Sequence, residues 1–285
     1  MKAASEIELT TLHTHDGFAL PATLVLPETA KPAPLIIFVH GFKGFKDWGH
    51  FPLLSRKLCD AGFAVLRFNL SHNGTSPAHP AEFVNLEAFG RNTYSRELSD
   101  LDDLLGQLVA LQNAAQLDLQ KIILWGHSRG GGIATIKTAE DKRIKALVTW
   151  AGVADLAGRI LNSDQERWRK NGVQFTHNAR TKQDMPLYVD LLDDTLQNAA
   201  RFDALAAAAR INVPHLILHG AADAAVPVKE AELLHQRNPK SELQIIEHAD
   251  HTFGGKHPFI EKDLPEHSRQ SLEKTIVFLN RAFAD

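Results

Sequence analysis

Cysteine, methionine and tyrosine are scarce in this sequence of 285 residues, which has one cysteine, two methionines and two tyrosines. The single cysteine, Cys59, cannot form an internal disulfide, and it lies in an apolar helical pattern, so we expect it to be buried in the core. No apolar run approaches the roughly 20 residues needed to span a bilayer. Residues 1–6 also lack the apolar stretch of a secretory signal. These absences predict a cytoplasmic protein with no membrane partner.

Neither sign of charge dominates the chain, because 31 lysines and arginines face 34 aspartates and glutamates, for a net charge of −3. Nucleic-acid binding usually requires a basic excess, so we expect no nucleic-acid partner. The CxxC, HExxH and GxGxxG patterns are absent, which leaves a zinc site or a dinucleotide cofactor without support. His13 and His15 have the spacing of a metal pair but no third ligand nearby. We therefore expect no metal and no cofactor.

Short apolar runs typical of strands covered on both faces recur along the chain. They occupy residues 35–39, 64–68, 122–125, 146–150, 215–218 and 243–246. Helical patterns alternate with them at residues 51–61, 93–114, 129–139, 228–236 and 268–284, and residues 7–13 and 18–26 indicate an opening β-hairpin. This alternation predicts an α/β fold with a doubly wound, mostly parallel sheet.

Residues 154–210 interrupt the alternation, because they are far longer than the crossover of about a dozen residues that parallel strands require. We predict that residues 1–153 and 211–285 form the core and that residues 154–210 form an inserted cap. Within the cap, turns are expected at Asn171-Gly172 and at residues 178–180, and a returning helix at 196–210. Five cap residues are candidates either for the wall of a substrate pocket or for packing the cap on the sheet: Trp168, Phe175, Met185, Leu187 and Tyr188.

The sequence Gly126-His127-Ser128-Arg129-Gly130 lies between a predicted strand and a predicted helix, which is the context of a nucleophile elbow. Glycine on either side lets the chain turn sharply and raise the serine hydroxyl above the sheet, because a Cβ there would collide with the neighbouring strand and helix. Ser128 is therefore the predicted nucleophile.

A serine hydroxyl becomes a useful nucleophile only when a base removes its proton and an acid holds that base. Asp223 and His251 each follow the carboxyl end of a predicted strand, where a parallel sheet places its functional loops. The order Ser, Asp, His along the chain fits a triad. Asp155 is the alternative acid, and His248 and His257 are alternative bases, since geometry and not sequence position defines each role.

The second requirement is a set of donors for the negative charge that develops on the substrate's carbonyl oxygen. Residues 40–44 follow a predicted strand, so the backbone amide of Phe42 is expected to lie beside that of Arg129 and form an oxyanion hole. His40 is expected to be a core or hydrogen-bonding residue. The side chains of Lys43, Lys46 and Arg129 are most simply solvated charges, although they surround the predicted site and would favour an acidic substrate.

Four segments together resemble the α/β-hydrolase superfamily, and within it the small esterases that include cinnamoyl and feruloyl esterases and the dienelactone-hydrolase-like proteins. They are His40-Gly-Phe-Lys-Gly44, Arg67-Phe-Asn-Leu-Ser-His-Asn-Gly-Thr-Ser76, Gly126-His-Ser-Arg-Gly130, and His219-Gly-Ala-Ala-Asp-Ala-Ala-Val-Pro227 followed by Asp250-His-Thr-Phe253. The resemblance implies that Ser128, Asp223 and His251 are the triad, that the amides of Phe42 and Arg129 bind the oxyanion, and that the insertion is a cap.

The resemblance also implies a serine carboxylic-ester hydrolase that acts through an acyl-enzyme on small to medium esters, aryl or hydroxycinnamate esters included. Asn69 and His72-Asn73-Gly74 stand where cinnamoyl esterases usually have Asp and Gly-His-Gly, and dienelactone hydrolases have cysteine in place of Ser128. The single Gly41-Phe42, without a run of three glycines, favours esters of primary alcohols. The same triad would serve an amide or thioester hydrolase, and a non-catalytic ligand receptor on this fold is a further alternative.

Overall fold

The computed structural model describes residues 5–29 and 31–284. The prediction about a secretory signal falls mostly on residues 1–4, which lie outside the described residues. The described strands are β1 (Ser5–Leu9), β2 (Ala22–Leu26), β3 (Ala33–Val39), β4 (Ala64–Phe68), β5 (Leu117–His127), β6 (Ile144–Trp150), β7 (Val173–Asn178), β8 (Gln183–Tyr188), β9 (His215–Gly220) and β10 (Glu242–Ile246). The described helices are α1 (Phe51–Asp60), α2 (Leu86–Gly90), α3 (Tyr94–Ala115), α4 (Arg129–Glu140), α5 (Leu156–Leu161), α6 (Gln165–Asn171), α7 (Val189–Asn198), α8 (Ala204–Ala208), α9 (Val228–Arg237) and α10 (Glu266–Ala282). None of these helices has the length and apolar character needed to cross a membrane.

One large sheet organises the described residues, with its eight strands in the order β1-β2-β4-β3-β5-β6-β9-β10. β1 and β2 pair antiparallel, and β2 also runs antiparallel to β4. The remaining pairs in the sheet are parallel. The central strands are buried along nearly their whole length, which explains their continuous apolar sequences. The predicted α/β fold with its N-terminal hairpin is confirmed.

Helices cover the sheet on both faces. α1 and α10 pack on one face, where Leu54 and Leu279 are fully buried against Trp125 and Trp150. α3 and α4 pack on the other face through apolar residues such as Leu101, together with the inserted segment. Each large apolar side chain removed from water contributes roughly 1.5–3 kcal/mol to folding. Cys59 is buried in the first of these layers, as its helical apolar pattern predicts.

The inserted segment contains α5, α6, the β7–β8 hairpin and α7. The predicted turns are present, because α6 ends at Gly172 in the left-handed conformation and residues 179–182 connect β7 to β8. The prediction of one returning helix over residues 196–210 is wrong. The chain leaves α7 after Asn198, buries Phe202 completely in the core, and starts α8 with Asp203, whose carboxylate accepts a hydrogen bond from the Ala206 amide. The aspartate cap at Asp203 and the burial of Phe202 thus outweigh the helix propensity of Ala199 and Ala200, where the helix is interrupted. The division into core and cap stays a prediction.

Asp100 on α3 makes the stability of this fold depend on pH. Its carboxylate is fully buried and accepts hydrogen bonds from the amide and the hydroxyl of Ser71, at 2.7 and 2.9 Å. Burial raises the pKa of Asp100 to about 7, although the bonds from Ser71 oppose the rise. The folded protein therefore holds a proton that the unfolded chain has already lost, at every pH between about 4 and 7.

Replacement of Asp100 by asparagine removes this titration. The free energy of unfolding of the wild type, minus that of Asp100→Asn, is expected to fall as pH rises from about 4 to 7 and to be flat on either side. The slope has an upper limit of about 1.4 kcal/mol per pH unit, because the folded state binds the extra proton in that interval. Urea unfolding at several pH values measures the difference, in which the other carboxylates cancel. A difference that does not change with pH contradicts the prediction.

Candidate active site

Ser128 occupies a strained turn between β5 and α4. Its backbone has φ 57° and ψ −125°, a conformation that residues other than glycine rarely adopt. A Cβ at Gly126 would lie 2.4 Å from the Gly130 carbonyl oxygen, and one at Gly130 would lie 2.2 Å from the carbonyl oxygen of Val39. Both glycines are therefore required by close approach of the backbone, as expected for a nucleophile elbow.

The three residues of the predicted triad converge at the carboxyl end of the sheet. The Ser128 hydroxyl oxygen is 3.0 Å from His251 Nε2, and His251 Nδ1 is 2.8 Å from Asp223 Oδ2. Ser128 follows β5, Asp223 follows β9 and His251 follows β10, so the parallel sheet brings together residues that are up to 123 positions apart. In this arrangement His251 donates from Nδ1 to the carboxylate and accepts the serine proton at Nε2.

The side chain of Asp223 is fully buried and surrounded by donors. Its Oδ1 accepts hydrogen bonds from the amides of Ala225 and Val226, each at 2.8 Å. Its Oδ2 lies 3.2 Å from Nε2 of His219, which is also fully buried. Burial alone would raise the pKa of Asp223, but the hydrogen bonds from His219, His251 and the Val226 amide outweigh burial and hold that pKa well below its usual value. Asp223 is therefore a stable anion that orients the imidazole.

Two buried histidines that the sequence analysis left without a role support this geometry. His127 Nε2 donates to the backbone carbonyl of His251 at 2.9 Å, and the two rings are 4.9 Å apart. Burial, with a smaller contribution from His251, lowers the pKa of His127 to about 3. His219 shares its Nε2 proton between Asp223 and the Val226 carbonyl, at 2.8 Å from the latter. His127 directly precedes the serine and His219 lies four residues before the aspartate, which is the only sequence signal that points to them.

Residues 40–44 form a tight turn beside the elbow, in which the Gly44 amide donates to the Gly41 carbonyl and Lys43 has φ 56°. A Cβ at Gly41 would lie 2.9 Å from the Cβ of Ser128, so the turn touches the candidate nucleophile. Among residues 5–29 and 31–284, no group accepts a hydrogen bond from the amide of Phe42 or of Arg129. Both amides are thus available to a ligand, as an oxyanion hole requires.

The segment of residues 67–76 holds this turn in place. His40 Nδ1 donates to the Gly41 carbonyl at 2.9 Å, while its Nε2 accepts from the Leu70 amide at 3.2 Å. Burial lowers the pKa of His40 to about 4, which keeps the ring neutral in these two bonds. Asn69 accepts from the Lys46 amide at 2.6 Å. The predicted hydrogen-bonding role of His40 is therefore a structural one that shapes the oxyanion turn.

The prediction that Lys46 and Arg129 are solvated charges is wrong. Lys46 is only 3% exposed, and its ammonium lies between the Thr23 hydroxyl and the carboxylates of Glu8 and Asp47. The Arg129 guanidinium lies 4.0 Å from the centre of the Phe42 ring and pairs with buried Glu97 at 3.3 Å. Compact packing behind the oxyanion turn leaves these side chains in the interior, where charges need partners.

The alternative triad residues lie elsewhere. Asp155 caps the start of α5 by accepting the Gly158 amide at 2.7 Å. His248 is exposed in a turn with φ 60°. His257 Nδ1 accepts a hydrogen bond from the Gly49 amide at 2.9 Å, and the ring packs on Trp48. The structure does not bring any of the three alternatives into hydrogen-bonding distance of the Ser128–His251 pair.

Two cavities meet at Ser128 and His251, and both also contact Phe42 and Lys43. The larger, of about 520 Å³, is bordered mainly by apolar side chains: Tyr94, Val153, Leu156, Ile160, Leu187 and Val226, with the side chains of Arg129 and Arg159 at its edge. The smaller, of about 240 Å³, extends toward Trp48, Phe51, Asn178, Arg180 and Thr252. Volumes of this size suit small and medium organic ligands.

Of the five cap residues predicted as pocket candidates, Leu187 lines the larger cavity. Trp168 is buried in the core and donates from its indole to the Leu187 carbonyl, and Met185 is buried among aromatic rings. Phe175 is 64% exposed, and Tyr188 donates to Glu87. Strand alternation explains the positions of Phe175 and Tyr188, which lie on the face of the hairpin opposite to Met185 and Leu187. Trp168, Phe175, Met185 and Tyr188 do not line either of the two cavities at Ser128 and His251.

His13 and His15 are exposed, and the ring of His15 bonds to Asp103 at 2.9 Å. In the part of the chain that the structure describes, no group of three or more histidine, cysteine, aspartate or glutamate side chains could hold a metal ion.

A family model described as "Alpha/beta hydrolase family" matches residues 36–262. The chain belongs to the alpha/beta hydrolase family. An uncharacterized 31.7 kDa protein of the traX-finO intergenic region in Escherichia coli is 24% identical, over 82% of this chain and 87% of that protein. Est1E from Butyrivibrio proteoclasticus has a TM-score of 0.72 at 19% identity, with full coverage of both chains. A putative dienelactone hydrolase from Klebsiella pneumoniae has a TM-score of 0.63 at 18% identity, over 98% of this chain and all of that one. The predicted resemblance is confirmed.

Proposed function

We propose that this alpha/beta hydrolase is a serine hydrolase of carboxylic esters that acts through an acyl-enzyme. The observation that carries the proposal is the hydrogen-bonded series from the Ser128 hydroxyl to His251 at 3.0 Å and from His251 to Asp223 at 2.8 Å. A nucleophile, a base and an orienting acid in this geometry are the requirements for acyl transfer.

In the acylation half, His251 Nε2 removes the Ser128 proton as the oxygen attacks the ester carbonyl carbon. The carbonyl π electrons move to oxygen, and the amides of Phe42 and Arg129 donate to the resulting oxyanion. Asp223 stabilises the imidazolium that forms. When the tetrahedral intermediate collapses, the bond to the alcohol oxygen breaks and His251 protonates that oxygen, which releases the alcohol and leaves an ester on Ser128.

In the deacylation half, a water molecule takes the place of the alcohol and gives a proton to His251 as it attacks the acyl carbon. The oxyanion forms again in the same position, and its collapse returns the proton to Ser128 and releases the carboxylic acid. The partner that this cycle needs is a small-molecule ester. Ser128 and His251 carry the proton transfers, Asp223 stabilises the imidazolium, and the two amides stabilise the oxyanion. The two cavities provide separate spaces for the acyl and alcohol parts.

Steady-state hydrolysis of 4-nitrophenyl acetate and butyrate tests this proposal, with mass spectrometry of the protein quenched during turnover. We expect many turnovers per protein molecule and a mass increase of one acyl group on the peptide that contains Ser128. Release of at most one equivalent of nitrophenol would instead indicate a non-catalytic receptor. Ester, thioester and amide substrates with the same acyl group, ranked by kcat/KM, separate an esterase from a thioesterase or a peptidase. We expect the ester to rank first.

A further inference from the structure

The two cavities at Ser128 differ in whether the cationic side chains that line them have carboxylate partners. We propose that the smaller cavity binds a negatively charged group of the substrate, so that the enzyme prefers esters bearing a carboxylate. The proposal rests on the proposed ester hydrolysis and specifies its substrate class. We call this space the cationic cavity. Its lining includes Lys43, Arg180 and three histidines, and none of the described residues that line it is an aspartate or a glutamate.

Lys43 is held in position at one side of the cationic cavity. Its ammonium donates to the His177 carbonyl at 3.0 Å and lies 5.5 Å from the centre of the Phe42 ring. An ammonium has three donors, so two remain for a ligand. Lys43 lines this cavity together with Ser128 and His251.

Arg180 borders the same cavity from the β7–β8 turn. Its guanidinium lies 5.5 Å from the ring centres of both Phe45 and Phe83. Within the described ranges, residues 5–29 and 31–284, no carboxylate pairs with Arg180 and no acceptor takes a hydrogen bond from its guanidinium. Partial burial accordingly lowers the pKa of Arg180, with no anion to oppose the effect. A planar guanidinium with free donors is the group that binds carboxylates in a bidentate manner.

The carboxylates near the cationic cavity are already committed. Asp47 pairs with Lys46 and Arg67, and Asp250 accepts the amides of Thr252 and Gly254 in its own turn. The larger cavity shares Lys43 with the cationic cavity, but its other two cations have carboxylate partners, because Arg129 pairs with Glu97 and Arg159 with Glu230. Among the described residues, the cationic cavity therefore has two cations without a carboxylate partner, Lys43 and Arg180, beside Ser128 and His251.

Aromatic side chains complete the cationic cavity. Phe42, Trp48 and Phe51 line it beside the two cations. Flat apolar walls and a cationic edge suit an aryl or short aliphatic group that ends in a carboxylate. Coulombic attraction at such a partly desolvated site favours that group over a neutral group of the same shape.

The test compares two matched pairs of esters. In one pair the charge lies in the acyl part (4-nitrophenyl butyrate and mono-4-nitrophenyl glutarate), and in the other it lies in the alcohol part (phenyl butyrate and 3-carboxyphenyl butyrate). The measured quantity is the ratio of anionic to neutral kcat/KM within each protein, because a ratio is insensitive to a general loss of activity. The proteins are the wild type, Lys43→Gln, Arg180→Gln and the double variant.

We expect the wild type to prefer the anionic ester about tenfold or more in at least one pair. Each single variant should lower that ratio by about threefold or more and the double variant should remove the preference, because a charge-assisted hydrogen bond is lost each time. Lys182→Gln is the matched control, since Lys182 is exposed on the same β7–β8 turn and does not line the cavity. Lys182→Gln should keep the wild-type ratio.

A wild-type ratio of one or less in both pairs overturns the proposal, and so does a ratio that survives in the double variant. If no ester is turned over, the proposed function fails. Calorimetric binding of benzoate and benzamide then tests separately whether the cationic cavity binds a carboxylate. Preferential binding of benzoate that Arg180→Gln abolishes supports it, and equal binding of the two compounds contradicts it.

Discussion

Replacement of Ser128 by alanine is expected to lower kcat for 4-nitrophenyl butyrate by about four to six orders of magnitude. In the proposed mechanism the hydroxyl oxygen is the atom that bonds to the acyl carbon, and it lies 3.0 Å from His251 Nε2. Without it, the oxyanion donors and the cavities give only the residual catalysis that binding provides. KM should change little, since the serine oxygen is a minor part of the binding surface.

His251→Ala should cause a loss of similar size, because members of a triad act as a unit and their effects do not add. His248→Ala is the matched control, because His248 is exposed and lies three residues before His251 in the sequence. This variant should retain the wild-type kcat and KM. Stopped and continuous assays of purified variants, with circular dichroism to check folding, measure these effects. Turnover in Ser128→Ala above about 1% of wild type would show that another group is the nucleophile.

The second large effect is on stability, and it comes from Gly130. A Cβ at Gly130 would lie 2.2 Å from the Val39 carbonyl oxygen and 2.5 Å from that of His40. Val39 is paired with Gly126 in the sheet and His40 belongs to the oxyanion turn, so a shift of these carbonyls would disturb the sheet and the turn. Gly130→Ala is therefore expected to lower the free energy of unfolding by about 3 kcal/mol or more and to reduce activity by displacing the neighbouring Arg129 amide.

Gly106→Ala is the control for this substitution. Gly106 lies within α3, and a Cβ there would meet no atom within 4 Å. The alanine should stabilise the protein by about 0.5–1 kcal/mol through its higher helix propensity. Urea unfolding followed by tryptophan fluorescence measures both variants. If Gly130→Ala and the wild type have equal free energies of unfolding, the backbone around residue 130 can accommodate a Cβ, and the prediction is contradicted.

Much of the site is predictable because it obeys rules of local sequence. The glycines at 126 and 130 mark the turn, and Asp223 and His251 follow successive strands, so a parallel sheet must deliver all three loops to one edge. The choice of Asp223 over Asp155 agrees with the geometry, since the latter is used as a helix cap. The catalytic roles themselves stay predictions that the variants above test.

The pocket wall was not predictable in the same way. Phe175 and Met185 are similar apolar residues in the sequence, yet one is 64% exposed and the other fully buried. Which face of the β7–β8 hairpin points inward depends on strand register and on where the hairpin docks, and a shift of one residue would exchange the two faces. The burial of Lys46 and Arg129 was not predicted for a related reason, because the partners of their charges include residues far away in the sequence: Glu8 pairs with Lys46 and Glu97 pairs with Arg129.

The amino-acid sequence by itself determined the α/β alternation, the nucleophile elbow and the order of the candidate triad, because strand burial, glycine conformation and helix periodicity act over a few neighbouring residues. Tertiary structure alone decided which histidines support His251 and Asp223, which cap residues reach the cavities, and which cations lack carboxylate partners. Those properties depend on distances between residues far apart in the chain, and such distances are fixed only when the sheet, the helices and the inserted segment pack together.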